Sequence, residues 1–128
     1  GKACAACLGK AGASVMLADI DEAGAEAAAR ELREAGVRAE WCRADVGDKG
    51  EVDIMVAQTL DKFGGLDVAV NNAGIVVAKE FLDMSEEDFD RVLRVNLKGV
   101  FLTGQAAARG ARPLSLRVPA PFADPSAD

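Results

Sequence analysis

Residues 66–74 have the sequence LDVAVNNAG, in which a short apolar run leads directly into a turn of polar and small residues. The apolar run 66–70 has the length and composition of a buried strand. Similar runs begin near residues 14 and 37, so the three predicted strand starts are 23 and 29 residues apart. Such distances suit strand–helix–strand crossovers. The sequence therefore predicts an α/β fold built on a parallel sheet.

Polar residues follow each predicted strand. Asp19 ends the run that begins at Ser14, Asp45 closely follows the predicted strand 37–43, and residues 71–74 follow the third strand. The carboxyl ends of parallel strands meet at one edge of a sheet, where open α/β sheets bind their ligands. We therefore expect these residues to contribute to a ligand site.

Helices are expected between and after the strands. Glycines at 12, 36 and 64 are placed to end the first three, because glycine accepts the left-handed backbone conformation found there. Ser85 and Asp88 have the spacing of an N-terminal helix cap. The predicted helices are 2–11, 21–35, 52–63 and 85–108.

Asn96 lies on the apolar face of the last predicted helix. Phe89, Val92, Leu93, Asn96 and Val100 recur at helical spacing, so an amide is expected among buried side chains. Such an amide requires hydrogen-bond partners. Either a bond to a neighbouring backbone segment or a kink at a functional site would explain it, and the sequence does not choose between them.

The composition excludes several classes of chemistry. The chain of 128 residues has no His and no Tyr, which rules out a Ser-His-Asp triad, a His-ligated metal or a catalytic Tyr within it. A net charge of −6 argues against nucleic acid as a partner. No apolar run reaches the ~20 residues of a membrane span, so we expect a cytoplasmic protein with no membrane contact.

The cysteines are three in number, Cys4, Cys7 and Cys42, which is typical of a reducing compartment. Cys4 and Cys7 have the spacing of a redox pair. The surrounding alanines favour a different interpretation, namely small residues in a tightly packed helix. Without His, three cysteines leave a zinc shell short, and no metal site is predicted.

Four motifs in order resemble those of the short-chain dehydrogenase/reductase family. They are Asp19 at a strand end, Asp45-Val46 at the next, Asn71-Asn72-Ala73-Gly74 after the third, and Asn96 within VNLKGVF, residues 95–101. The resemblance covers residues 1 to about 108 and implies a partial Rossmann-like, doubly wound parallel sheet. Gly1-Lys2-Ala3 resembles the end of the family's phosphate-binding loop, and the first strand is expected to be missing.

The resemblance also implies a cofactor and its ligands. A carboxylate at the position of Asp19 would bind the adenosine ribose and repel a 2′-phosphate, which favours NAD over NADP; a role in capping the next helix is the alternative for this residue. Asn96 corresponds to the family's active-site Asn, whose helix kink exposes a carbonyl that holds a water in the proton relay. The implied cofactor-binding residues are Asp19, Ile20, Asp45, Val46, Asn72, Ala73 and Gly74.

The family's catalytic Ser, Tyr and Lys cannot be placed in this sequence. We therefore expect residues 1–109 to be a fragment of an NAD(P)-dependent oxidoreductase that interconverts an alcohol and a carbonyl of a small molecule, inactive as this chain alone. The alternative is a non-catalytic nucleotide-binding remnant or a module that forms homo-oligomers through helix 85–108. All four prolines lie in 110–128. We therefore expect this segment to be an irregular, disordered C-terminal tail that does not follow the family fold. A shifted reading frame or a truncated gene would explain such a tail.

Overall fold

A computed structural model describes residues 1–111 of the chain. Helices and strands alternate through its first half, as the sequence predicts, and helices follow in its second half. The first elements are α1 (Lys2–Lys10), β1 (Val15–Asp19), α2 (Glu22–Glu34), β2 (Ala39–Arg43) and α3 (Lys49–Phe63). They are followed by a 3-10 turn (Phe81–Asp83), α4 (Glu86–Leu93), one turn of π-helix (Arg94–Lys98, called the π-turn below) and α5 (Gly99–Gly110).

Strands β1 and β2 form a parallel pair, which confirms the predicted α/β fold. Their register runs from Val15 opposite Ala39 to Asp19 opposite Arg43. Helix α2 connects them, and the chain leaves it through Gly36 at φ +81°, a backbone conformation that L side chains rarely adopt. This register brings the carboxyl ends of the two strands side by side.

The third predicted strand is not formed. Residues 66–70 have no strand structure, and Val68 and Val70 are 63% and 52% exposed. A strand exists only when its backbone groups bond to a neighbour, and in residues 1–111 the sheet contains β1 and β2 alone. The strand prediction for this run is wrong for the described structure, because apolar composition carries no information on a ladder partner.

Two apolar cores hold the helices. The first joins α1, α2 and the strand pair, and the second joins α3 to α5. Val52 of α3 is completely buried in the second core. The residues of the first core are Ala5, Val15, Leu32, Val37 and Ala39; those of the second are Val52, Val56, Leu102 and Ala106.

The last predicted helix begins as expected but is not a single regular helix. Ser85 accepts a hydrogen bond from the Asp88 amide, and the Asp88 carboxylate accepts one from the Ser85 amide, which completes the capping box. The π-turn then separates α4 from α5. The expectation that Asn96 is buried is wrong: the residue is exposed because the helix face that carries it is itself exposed in residues 1–111, Phe89 and Leu93 included.

The cysteines are all free thiols. The expected tight packing of α1 is wrong for Cys4 and Cys7, which lie exposed, whereas Ala5 is buried and Ala6 and Leu8 pack against the first core. Cys42 is buried in β2, and burial raises the pKa of its thiol. The predicted tail, residues 110–128, lies outside the described residues apart from Gly110, which ends α5, and Ala111.

Candidate functional site

Asp19 lies exposed at the carboxyl end of β1. Its Oδ1 accepts a hydrogen bond from the Asp21 amide at 3.1 Å, a local turn that leads the chain into α2. The backbone carbonyl of Asp19 accepts a bond from the Ala44 amide at 2.9 Å, which ties the ends of the two strands together. Ile20 follows with 59% of its surface exposed. The turn bond engages one carboxylate oxygen of a residue that is exposed to solvent.

The turn bond gives partial support to the alternative interpretation of Asp19. Asp21 is the N-cap of α2 and its side chain makes no cap bond. Asp19 therefore stabilises the turn before the helix, without capping the helix itself. A carboxylate oxygen has two lone pairs, so this bond does not prevent Asp19 from binding a ligand.

Asp45 is held on both carboxylate oxygens. Oδ1 accepts from the Gly47 amide at 2.8 Å, and Oδ2 accepts from Nη2 of Arg94 at 2.9 Å. Partial burial opposes the charge on Asp45, but the Gly47 amide and the Arg94 guanidinium outweigh it and lower the pKa of the carboxyl group. Asp45 is therefore an ionised anchor between the loop after β2 and the start of the π-turn.

Two glycines allow this loop to approach the helix closely. A Cβ atom at Gly47 would lie 2.6 Å from Nη1 of Arg94, and one at Gly99 would lie 2.7 Å from Cγ2 of Val46. Both distances are shorter than any ordinary carbon contact. A side chain at Gly47 would displace the Arg94 side chain, and one at Gly99 would press on the side chain and backbone of Val46. Val46 is thus fixed at the first turn of α5.

Asn96 binds the backbone of Ile75 with both ends of its amide. Oδ1 accepts from the Ile75 amide at 2.8 Å, and Nδ2 donates to the Ile75 carbonyl at 2.9 Å. Asn96 also lies in the π-turn, a distortion that is frequent at functional sites. The first explanation that the sequence left open, a bond to a neighbouring backbone segment, is confirmed. The helix is also broken at this residue, but the functional role of that break stays a prediction.

The residues expected around the cofactor form two groups in the structure. Asp19 and Ile20 lie beside the end of β2, near Asp45 and Val46. Gly74 belongs to the other group, and a Cβ atom built on it would lie 3.5 Å from Oδ1 of Asn96. Residues 71–74 are exposed and form no regular element. The π-turn connects the groups, since it contacts both loops.

Sequence reasoning missed the residues that hold this arrangement together. Glu51 Oε2 accepts from Nη1 of Arg43 at 2.7 Å and from the Asp45 amide at 2.8 Å, while Arg94 binds Asp45. The sequence contains one signal for Glu51, since Asp48 and Glu51 have the spacing of an N-terminal helix cap. In the structure Oδ1 of Asp48 accepts a hydrogen bond from the Glu51 amide at 2.9 Å. The partners of Arg43 and Arg94 had no local signal.

Two absences apply to the described part of the chain. No helix in residues 1–111 is long and apolar enough to cross a membrane. Within the same residues no group of three or more His, Cys, Asp or Glu side chains could hold a metal ion.

A parallel strand–helix–strand unit with polar side chains at its carboxyl edge defines a Rossmann-like nucleotide-binding fold. Residues 1–115 match the family model described as enoyl-(acyl carrier protein) reductase. The chain belongs to the short-chain dehydrogenase/reductase family, whose members are NAD(P)-dependent oxidoreductases.

Individual relatives agree with this assignment. The dehydrogenase subunit BbsD of Thauera aromatica, named for a hydroxy(phenyl)methyl-substituted succinyl-CoA, is 43% identical over 106 residues, which are 83% of this chain and 43% of that protein. A short-chain type dehydrogenase/reductase from Mycobacterium marinum superposes with a TM-score of 0.82 at 41% identity, over 86% of this chain and 44% of the other.

An alcohol dehydrogenase from Thermococcus sibiricus, solved with 5-hydroxy-NADP, superposes with a TM-score of 0.80 at 33% identity, over 86% of this chain and 47% of the other. A nicotinamide cofactor is thus bound by a structural neighbour. The chain spans less than half the length of these relatives.

Proposed function

We propose that this chain provides the adenosine-binding edge of an NAD-dependent oxidoreductase that interconverts an alcohol and a carbonyl group in a small molecule. The observation that carries the proposal is Asp19, an exposed residue at the carboxyl end of β1 whose carboxylate is engaged in the turn through Oδ1. A carboxylate there accepts bonds from two neighbouring ribose hydroxyls and repels a 2′-phosphate, so NAD is preferred to NADP.

The residues around Asp19 fit the rest of the adenosine. Ile20 offers an exposed apolar side chain beside the ribose carboxylate. Asp45 and Val46 would border the adenine, the first through lone pairs that Gly47 and Arg94 do not use and the second through its backbone. The fixed loop requires little reordering on binding, which favours affinity.

Asn96 would act on the nicotinamide side. In the proposal its amide holds the loop through Ile75, so that Asn72, Ala73 and Gly74 line the cofactor, and the π-turn presents a main-chain carbonyl to a water of the proton relay. The nicotinamide supplies the hydride acceptor or donor when it is bound. Since the sequence has no Tyr, we propose that these residues bind and orient but do not complete catalysis.

Titration of the purified chain with NADH tests the proposal. Trp41 lies in β2, two residues before Arg43, and its fluorescence reports on this edge. We expect saturable quenching, weakened about 10- to 100-fold in Asp19→Ala, because bonds to a charged group contribute about 1.5–3 kcal/mol. Asp61→Ala, an exposed carboxylate near the other end of α3, is the matched control and should bind as the unaltered chain does.

Two results would overturn parts of this proposal. Absence of saturable binding, or equal affinity of Asp19→Ala, would remove Asp19 as the ribose ligand. Hydride transfer to an aldehyde or ketone by the chain alone would contradict the assignment of the proton-transfer step to a Tyr that this sequence lacks.

A second candidate function, homo-oligomer formation, is favoured by an exposed apolar stripe on α4, the π-turn and α5. Phe89, Leu93, Leu97 and Phe101 recur every four residues and are 53%, 38%, 65% and 61% exposed. Asp90 and Lys98 flank an open depression on this face, so two antiparallel copies could place opposite charges together. We propose a second copy of the chain as the occupant.

Sedimentation velocity tests the oligomer. We expect a dimer that dissociates in Leu97→Ser, whereas Val76→Ser, an 89% exposed apolar residue outside the stripe, should remain dimeric. A monomeric unaltered chain would exclude this candidate without affecting cofactor binding.

Location in a reducing cytoplasm completes the proposal, since Cys4, Cys7 and Cys42 are all free thiols.

A further inference from the structure

Arg43 is the basic residue directly beside the proposed ribose carboxylate. It ends β2 opposite Asp19, the last residue of β1. Residues opposite each other in a parallel pair point to the same face of the sheet, and adjacent strands lie about 4.8 Å apart. An extended Arg side chain is longer than this separation, so its guanidinium could reach a phosphate group bound at the position of Asp19. Arginine is well suited to bind such a group through two parallel hydrogen bonds.

The guanidinium of Arg43 is bound by Glu51, and Asp19 is not among the carboxylates that act on it. Nη1 of Arg43 donates to Oε2 of Glu51 at 2.7 Å, and the same oxygen accepts from the Asp45 amide at 2.8 Å. Glu51 is itself fixed at the start of α3 through the bond from its amide to Asp48. The carboxylate is therefore held in place by α3 and by the loop after β2.

The charged groups around Arg43 also favour its pairing with Glu51. The Asp45 amide and the Arg43 guanidinium lower the pKa of Glu51, so it stays ionised at neutral pH. Glu51, Asp45 and Glu22 all act on Arg43 and raise its pKa. The charge of Arg43 is thus compensated by carboxylates other than Asp19.

We infer that Glu51 determines cofactor specificity, because it withdraws Arg43 from the ribose site and so prevents Arg43 from binding a 2′-phosphate. This inference rests on the proposed function of Asp19 as ribose ligand. It assigns the preference for NAD to two positions on different elements, one at the end of β1 and one on α3.

The test compares two nucleotides that differ only in the phosphate concerned, adenosine 5′-monophosphate and adenosine 2′,5′-bisphosphate. The full 128-residue chain is titrated with each, and amide chemical shifts in NMR spectra give both affinities and a check of the fold. The ratio of the two affinities is the measured quantity, since it cancels any general loss of binding.

Glu51→Gln keeps an acceptor for the Asp45 amide but removes the charge that holds Arg43. We expect the unaltered chain to prefer the monophosphate, and the ratio in Glu51→Gln to shift toward the bisphosphate by about tenfold or more, the effect of one charge-assisted phosphate bond. Adding Arg43→Gln to this variant should restore the original preference. That reversal separates release of Arg43 from a merely structural effect.

Asp53→Asn is the matched control. It removes the same charge from the same helix, at a residue that pairs with Lys49 and not with Arg43, and it should leave the ratio unchanged. Should Glu51→Gln fail to fold, Glu51→Asp shortens the side chain while it retains the charge, and a smaller shift in the same direction is expected.

The outcomes distinguish the two proposals. An unaltered chain that binds neither nucleotide overturns the proposed function and this inference with it. Binding of the monophosphate with an unchanged ratio in the Glu51 variants, or a shift that persists after Arg43→Gln, overturns the inference alone. A shift in Asp53→Asn as large as in Glu51→Gln would show that net charge, and not Arg43, sets the preference.

Discussion

Asn96→Ala should loosen the loop at Ile75 more than it lowers the stability of the whole chain. The substitution removes the bonds from the Ile75 amide at 2.8 Å and to the Ile75 carbonyl at 2.9 Å. Each such bond contributes about 0.5–1.5 kcal/mol, and the lower half of the range applies because Asn96 is exposed and water replaces part of the loss. Two bonds therefore give about 1–2 kcal/mol of local stability.

The global effect is smaller because alanine favours a helix over asparagine by about 0.5 kcal/mol or slightly more. Amide hydrogen exchange separates the two contributions. We expect the Ile75 amide to exchange about 5- to 30-fold faster in Asn96→Ala, whereas amides of α3 should change little.

Gln58→Ala is the control for this prediction, since it replaces an exposed amide side chain on α3 with the same residue. Equal Ile75 exchange rates in Asn96→Ala and Gln58→Ala would refute the reasoning, because the two bonds would then contribute nothing to the order of the loop.

Two further predictions concern the contacts between the loop after β2 and the helix. The lowered pKa of Asp45 implies a contribution to the free energy of unfolding. This contribution is present above the ordinary aspartate pKa of about 3.9 and is lost as the pH falls through the lower pKa of the folded chain. Arg94→Gln should move the pKa of Asp45 upward in a carbon-detected NMR titration, and an unchanged pKa would contradict the ion pair. Gly99→Ala should destabilise the chain by about 1–3 kcal/mol through the contact with Val46. Gly104→Ala has nothing within 4 Å of its Cβ position and should stabilise α5 by about 0.4–1 kcal/mol. Melting temperatures that shift in the same direction for both variants would show that Val46 adapts.

Local patterns in the sequence predict the elements well. Helix ends at Gly36 and Gly64, the capping box at Ser85 and the strand that ends at Asp19 all follow from residues within a few positions of one another. Each of these depends on backbone conformation or on a nearby side chain, which a single sequence contains in full.

Features that depend on distant partners could not be predicted in the same way. The run 66–70 has strand composition but no ladder partner in the described residues. The ion pair of Arg94 with Asp45 joins residues 49 positions apart, and the spacing of polar residues gives no sign of it. Asn96 was found because a polar residue interrupts an apolar stripe, yet its partner, Ile75, lies 21 positions away in a segment with no regular structure.

The π-turn explains how one helix can fix two loops that have no regular structure of their own. Arg94 and Asn96 are two positions apart, roughly half a helical turn, so their side chains leave the helix on nearly opposite sides. Arg94 therefore binds the loop after β2 through Asp45 while Asn96 binds the segment after residue 74 through Ile75. The proposed adenine and nicotinamide sides are thus positioned through the helix between them. It follows that a substitution at Arg94 should affect the order of the Asp45 loop first, and one at Asn96 the order of the Ile75 loop first, although the two residues belong to the same turn.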